Sequence, residues 1–293
     1  MIKRIPYLVF IILTGLCGAA LRCTCLLHGY EADSGLPKEG YLPAALLIAL
    51  TAAVIVIAAI AGRRWSGLHP KRIFEDVFGQ LGWKSRLCQL FSVGIMVLSV
   101  LGILWLPDQI AELYVLEGAQ IIMPSMLISC STALVWVLSF LSGFCLFLFA
   151  HKQRNRPHIT KRTDVIITVP MFWSCLDLIM VYHKNSGNPV LSDYSYTLLL
   201  IIAVMAAFYS IGGFLYSPKP PAARFLASAG IAVYLALTQM GGTVAWGLLQ
   251  TSDVPIMQLL GTGMTLRTGI YLLISGYLLI LICHASFRHS PDL

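Results

Sequence analysis

One carboxylate, Asp177, stands inside an apolar run from Val165 to Tyr182. Counted from Val165 at about 1.5 Å per residue, it lies roughly 18 Å into a bilayer. A lone carboxylate at that depth costs several kcal/mol or takes up a proton, so it requires a cation, a hydrogen-bond donor or water beside it. Pro170 lies seven residues earlier on the same helix face, with Trp173 and Ser174 between. A proline-interrupted face carrying one acid suits a binding cavity.

Other polar groups reach a comparable depth. Arg22 is about 16 residues into the first apolar run and Gln239 about 14 residues into the seventh, while Arg267 opens the eighth. Thr238, Gly241, Gly242 and Thr243 surround Gln239, and His183 follows the Asp177 run directly. Asp177, Arg22, Gln239, Arg267 and His183 are therefore expected to line a hydrated pocket for a ligand or a proton, open to the outside. The competing reading is structural: an Arg22 to Asp177 ion pair that locks two helices, with Gly241 and Gly242 as a close-packing seam.

Neither a metal nor another cofactor is expected. Most of the eight cysteines lie within apolar runs, where Cys acts as a small apolar residue. Cys23 and Cys25 with His28 make a poor ligand set. The seven histidines sit in loops or at the ends of runs, away from the depth at which a membrane haem needs facing ligands. There is no G-x-x-x-x-G-K-[ST] loop for nucleotide. Gly-x-Ser-x-Gly and His-Glu-x-x-His are also missing, which disfavours a hydrolase. No residue is assigned a catalytic role, and an enzyme is the less favoured class.

The elements that must hold these groups follow from composition. The chain is 58% hydrophobic and 11% charged, against roughly 25% charged residues in soluble domains. Its mean hydropathy is +0.80. An all-α polytopic membrane protein is expected, one membrane domain over residues 1–293, in contact with the lipid bilayer. Eight spans are predicted at about 6–27, 41–61, 87–106, 121–150, 165–182, 195–216, 225–249 and 266–286. Of the twenty Lys and Arg, only Arg22, Lys38, Lys184 and Arg267 fall on the side away from the termini. The positive-inside rule therefore puts both termini in the cytoplasm. The net charge of +7 is explained by these loops and by anionic headgroups, not by nucleic acid.

Between the second and third spans, Arg63, Arg64, Lys71, Arg72, Lys84 and Arg86 alternate with Ile73, Phe74, Val77, Phe78, Leu81 and Trp83 at helical spacing. Such a segment is expected to lie on the membrane surface as a basic amphipathic helix, or to be a short helix in a cytoplasmic loop.

Arg22, the loop Glu31-Ala-Asp-Ser-Gly-Leu-Pro and the Pro-Ala-Ala-Leu-Leu run after it resemble a group of uncharacterised bacterial multi-pass membrane proteins, over about the first 60 residues. The resemblance implies a bacterial plasma membrane and carries no activity. If that loop folds inward, Glu31 or Asp33 neutralises Arg22 and leaves Asp177 for another partner. Three functional readings stay open. The chain binds or transports a small solute or ion through the outward pocket. Alternatively it anchors a redox complex as a quinone-reactive subunit beside a protein partner, or it is a non-catalytic sensory or interaction protein working through the basic segment.

Overall fold

The computed structural model describes residues 5–31, 37–68, 74, 78–79, 81–107, 115–117, 120–122, 126–155, 163–185, 191–216, 221–250 and 263–287. Eight long helices dominate it: α1 (Ile5–His28), α2 (Leu42–Leu68), α3 (Lys84–Leu104), α4 (Met126–Asn155), α5 (Thr163–Asn185), α6 (Leu191–Tyr216), α7 (Ala222–Gln250) and α8 (Gly263–Phe287). Each holds a stretch long and apolar enough to cross a membrane. Lipid offers no hydrogen bonds to the backbone, so a run of this length satisfies its N–H and C=O groups within the helix. The chain is thus a multi-pass, helical membrane protein.

Two local differences from the sequence expectation stand out. The fourth helix begins at Met126 rather than near residue 121, because residues 120–122 form a strand. That strand, β2 (Gln120–Ile122), pairs antiparallel with β1 (Val115–Glu117), Leu116 opposite Ile121. Glu117 and Gln120 are the innermost pair of this ladder.

The helices α3 to α8 close a ring. In it α3 packs on α4, α4 on α5, α5 on α6, α6 on α7 and α7 on α8, and α8 returns to α3. Outside the ring, α1 and α2 pack on α7 and on each other. In this order α5 and α8 stand opposite one another, as do α4 and α7. We call the membrane face where α1 begins and α8 ends the terminus face, and the other the distal face.

Helix α7 touches four neighbours and has 67% of its span buried, while α2 has 22%. The sequences follow suit. The α2 run is almost wholly aliphatic because lipid is its solvent, whereas α7 carries Tyr234, Thr238 and Gln239 against other helices. Small residues set the close approach of α1 to α7. A Cβ on Gly241 would stand 2.7 Å from the Ala19 Cβ, and one on Gly15 would stand 2.9 Å from the Leu237 Cβ. The α3–α4 contact is tied by polar side chains that lipid could not satisfy: Ser99 Oγ donates to Ser139 Oγ at 2.8 Å, and Ser85 Oγ to the Ala150 carbonyl at 2.6 Å.

The apolar residues between α2 and α3 divide: Trp83 is 69% exposed, while Ile73 and Val77 lie outside the described residues. Phe74, Phe78 and Leu81 are buried within the protein. The Phe78 ring stands edge-on to Phe214 of α6 and Phe225 of α7, each at 5.2 Å, and Phe74 edge-on to Phe149 of α4 at 6.1 Å. Gly82 turns the chain into α3 with φ +58, a left-handed backbone that an L side chain rarely adopts. Of the basic residues in this segment, Arg63 and Arg64 are exposed near the end of α2. Lys71 and Arg72 lie outside the described residues.

Candidate functional site

Helix α5 presents Trp173 and Asp177 one turn apart, and α8 presents Arg267 and Tyr271 at the same spacing. This separation sets each pair on one helical face. The two faces meet inside the ring near its distal end. Asp177 is 0% exposed. The Tyr271 hydroxyl donates to its Oδ2 at 2.7 Å. Arg267 Nε lies 3.1 Å from Oδ1. Behind the carboxylate, the rings of Trp173 and Tyr271 stack with centroids 4.9 Å apart and planes 26° from parallel. Backbone contact between α5 and α8 is slight at most among the described residues, so these four side chains carry the crossing.

Arg267 is the outer member. Its side chain is 16% exposed, and the guanidinium carbon lies 5.9 Å from the centroid of Trp136 of α4. Trp136 in turn lies against Gly102 of α3, where any Cβ would collide with the indole. Three helices besides α5 therefore fix how the arginine stands over the acid.

The ion pair is close but its hydrogen bonding is incomplete. Neither Asp177 Oδ1 nor Arg267 Nε makes a hydrogen bond, and both atoms are buried. The N–H direction misses the oxygen, so the 3.1 Å contact is ionic without the aligned geometry that makes an Arg–carboxylate pair strong. Trp173 Nε1, also buried, has no hydrogen bond either. Pro170, inside α5 one turn before Ser174, brings no N–H to the helix and so leaves a backbone carbonyl of the preceding turn without its usual donor.

Arg22 and Gln239 belong to a separate cluster where α1, α6 and α7 meet. The Arg22 guanidinium carbon lies 5.3 Å from the centroid of Tyr196 of α6. Its aliphatic stem fills the notch left by Gly242 of α7. Gln239 Nε2 donates to Thr197 Oγ1 at a long 3.4 Å, and its Oε1 is buried without a hydrogen bond. Among the described residues the cation beside Asp177 is Arg267, while Arg22 lies over Tyr196. His183 is exposed near the distal end of α5.

Of the five residues expected to share a pocket, two meet directly, two gather elsewhere on the distal half, and one faces outward. Trp173, noted in the sequence between Pro170 and Asp177, is a participant; Tyr271, Trp136, Tyr196 and Thr197 are participants the sequence reading does not name. The four-residue spacing of Arg267 from Tyr271 is the signal available for the first of these. Deeper in the ring, toward the terminus face, a recess is lined by Leu146, Phe149, Ile166, Ile167, Phe208, Ile211 and Tyr277. Its one polar group, the Tyr277 hydroxyl, donates to the Leu146 carbonyl at 3.2 Å. Among the described residues no group of His, Cys, Asp and Glu could hold a metal ion.

No protein-family model, no curated protein and no solved structure matches this chain. What the site does must be argued from its own chemistry.

Proposed function

We propose that the protein binds a small polar solute or an ion at Asp177, within the helical ring, and passes it across a bacterial plasma membrane. One observation carries this reading. Asp177 is wholly enclosed, yet one of its oxygens accepts no hydrogen bond while a buried guanidinium nitrogen 3.1 Å away donates none. A pair kept only to lock helices would gain most by satisfying both atoms, since an unmet buried polar group costs about 1–3 kcal/mol. Left as they are, the two atoms offer one acceptor and one donor to a third group. A proton, a small cation or a solute bearing both a donor and an acceptor fits that chemistry.

The position of Arg267 supports access from the distal side, because it is the member of the pair that reaches the surface. The asymmetry of basic loops supports the orientation, with the terminus face in the cytoplasm. Ionisable groups inside a membrane mark ion and solute paths more often than they serve packing.

The test uses the full chain reconstituted in vesicles and in detergent. Wild type is expected to gain thermal stability with at least one member of a panel of monovalent cations, amino acids and sugars, or to admit protons after an acid jump followed by an entrapped pH dye. Asp177→Asn should lose that response. Identical behaviour of the two proteins across the panel and the acid jump would remove the proposal.

A further inference from the structure

Resting on the reading of Asp177 as a solute site, we propose that its ligand is a planar organic cation with a guanidinium or amidinium head, and that Arg267 is a tethered copy of that head which withdraws to the distal face when the ligand arrives. The arginine head already lies in a box of the right chemistry. Its Nε is 3.1 Å from one carboxylate oxygen and its guanidinium carbon 5.9 Å from the centroid of Trp136. An aromatic face beside an acid favours a flat, weakly hydrated cation. The fit fails at the acid, where neither Nε nor Oδ1 makes a hydrogen bond. Held through its own stem, the head must serve Trp136 and the acid in one orientation. A free guanidinium is under no such tie and can aim N–H groups at Oδ1 while it faces the indole.

Arg267 also has a way out. Asp177 is eight residues from the end of α5 at Asn185, and Tyr271 eight from the start of α8 at Gly263, so the two stand level, about 12 Å below the distal face. Arg267 starts one turn higher. Side chains lean toward the N-terminus of their helix, and for α8 that is the distal end. The stem thus leans outward, and the side chain is already 16% exposed. No empty cavity is required, since the ligand takes the volume that the arginine head leaves. The walls stay in place: Trp136 is buried and lodged against Gly102, and Tyr271 is held by its bond to Oδ2 and its stack on Trp173. Hard metal cations suit the box less, because they collect six or more oxygens and these walls are indole and phenol rings.

The test is a calorimetric titration of the full chain in detergent micelles with methylguanidinium, kept below about 20 mM and so far under the molar range in which guanidinium unfolds proteins. Urea serves as the flat, neutral control. Wild type is expected to bind methylguanidinium saturably and to ignore urea, and Asp177→Asn should bind neither. Arg267→Ala, freed of the tethered competitor, should bind at least about tenfold tighter than wild type, because a site that is open only part of the time loses affinity in that proportion. Arg267→Lys, whose ammonium lacks the planar head, should fall between them, and it decides the matter should the alanine variant not accumulate. A wild type that ignores methylguanidinium, or arginine variants that bind it no tighter, overturns the inference. If wild type then still answers protons or another solute through Asp177, the solute site stands without the tethered head; if Asp177→Asn matches wild type toward everything tried, the site itself is gone.

Discussion

The hydroxyl of Tyr271 on α8 donates a 2.7 Å hydrogen bond to the carboxylate of Asp177 on α5, and these two helices face each other across the ring rather than side by side. Tyr271→Phe keeps the stack on Trp173 and removes only the donor. Interhelical hydrogen bonds in membranes average about 0.6 kcal/mol, but a buried charged acceptor left short loses more, so about 1–3 kcal/mol is expected. Chemical unfolding in mixed micelles would measure it, and a change within 0.3 kcal/mol or so of zero would mean the bond is not made.

Arg267→Ala should cost about 3–5 kcal/mol, more than the Tyr271 change, because it strands a buried charge. Combined with Asp177→Asn, much of the loss should return, since no uncompensated charge then remains. The double-mutant cycle is the measurement. Additive losses would place the two residues in separate environments.

Gly102→Ala acts at a distance. The added methyl drives into Trp136, whose ring faces the Arg267 guanidinium. Overpacking costs about 1–3 kcal/mol. The sharper expectation is that Gly102→Ala weakens any ligand response that depends on Asp177. Gly212→Ala, with open space around its Cβ position, should leave that response unchanged.

Cysteines placed at Glu39 and at Arg64, both exposed and near opposite ends of α2, should react with an impermeant maleimide from opposite sides of the membrane. With cells intact, position 39 is expected to label and position 64 to stay protected until the membrane is opened. The reverse pattern would invert the protein.

The spans were legible because a bilayer demands one thing of each, about 20 apolar residues, and composition records it directly. The order of helices around the ring was not. Against lipid, both the packed and the exposed face of a helix are apolar, so periodicity says little about neighbours. Asp177, Arg22 and Arg267 could be picked out as costly, but which arginine met the acid depended on that order. Phe74 and Phe78 illustrate a different ambiguity: the same spacing fits a face on headgroups and a face against protein, and only the positions of Phe149, Phe214 and Phe225 decide it. The strands Val115–Glu117 and Gln120–Ile122 do not stand out in the sequence, because Val115 and Leu116 fall in the stretch between two spans and Ile121 and Ile122 merge with the apolar signal of the span that follows.

The chain order of the crossing pair has a further consequence, for biogenesis. Asp177 leaves the ribosome roughly 90 residues before Arg267, which at about 5–20 residues per second is an interval of several seconds. During that interval the acid must enter the bilayer without its guanidinium, so it travels protonated or stays sheltered by the insertion machinery. Arrival of α8 is the event that neutralises it and seals the circle, and chains stalled before that point should be the ones a quality-control protease removes.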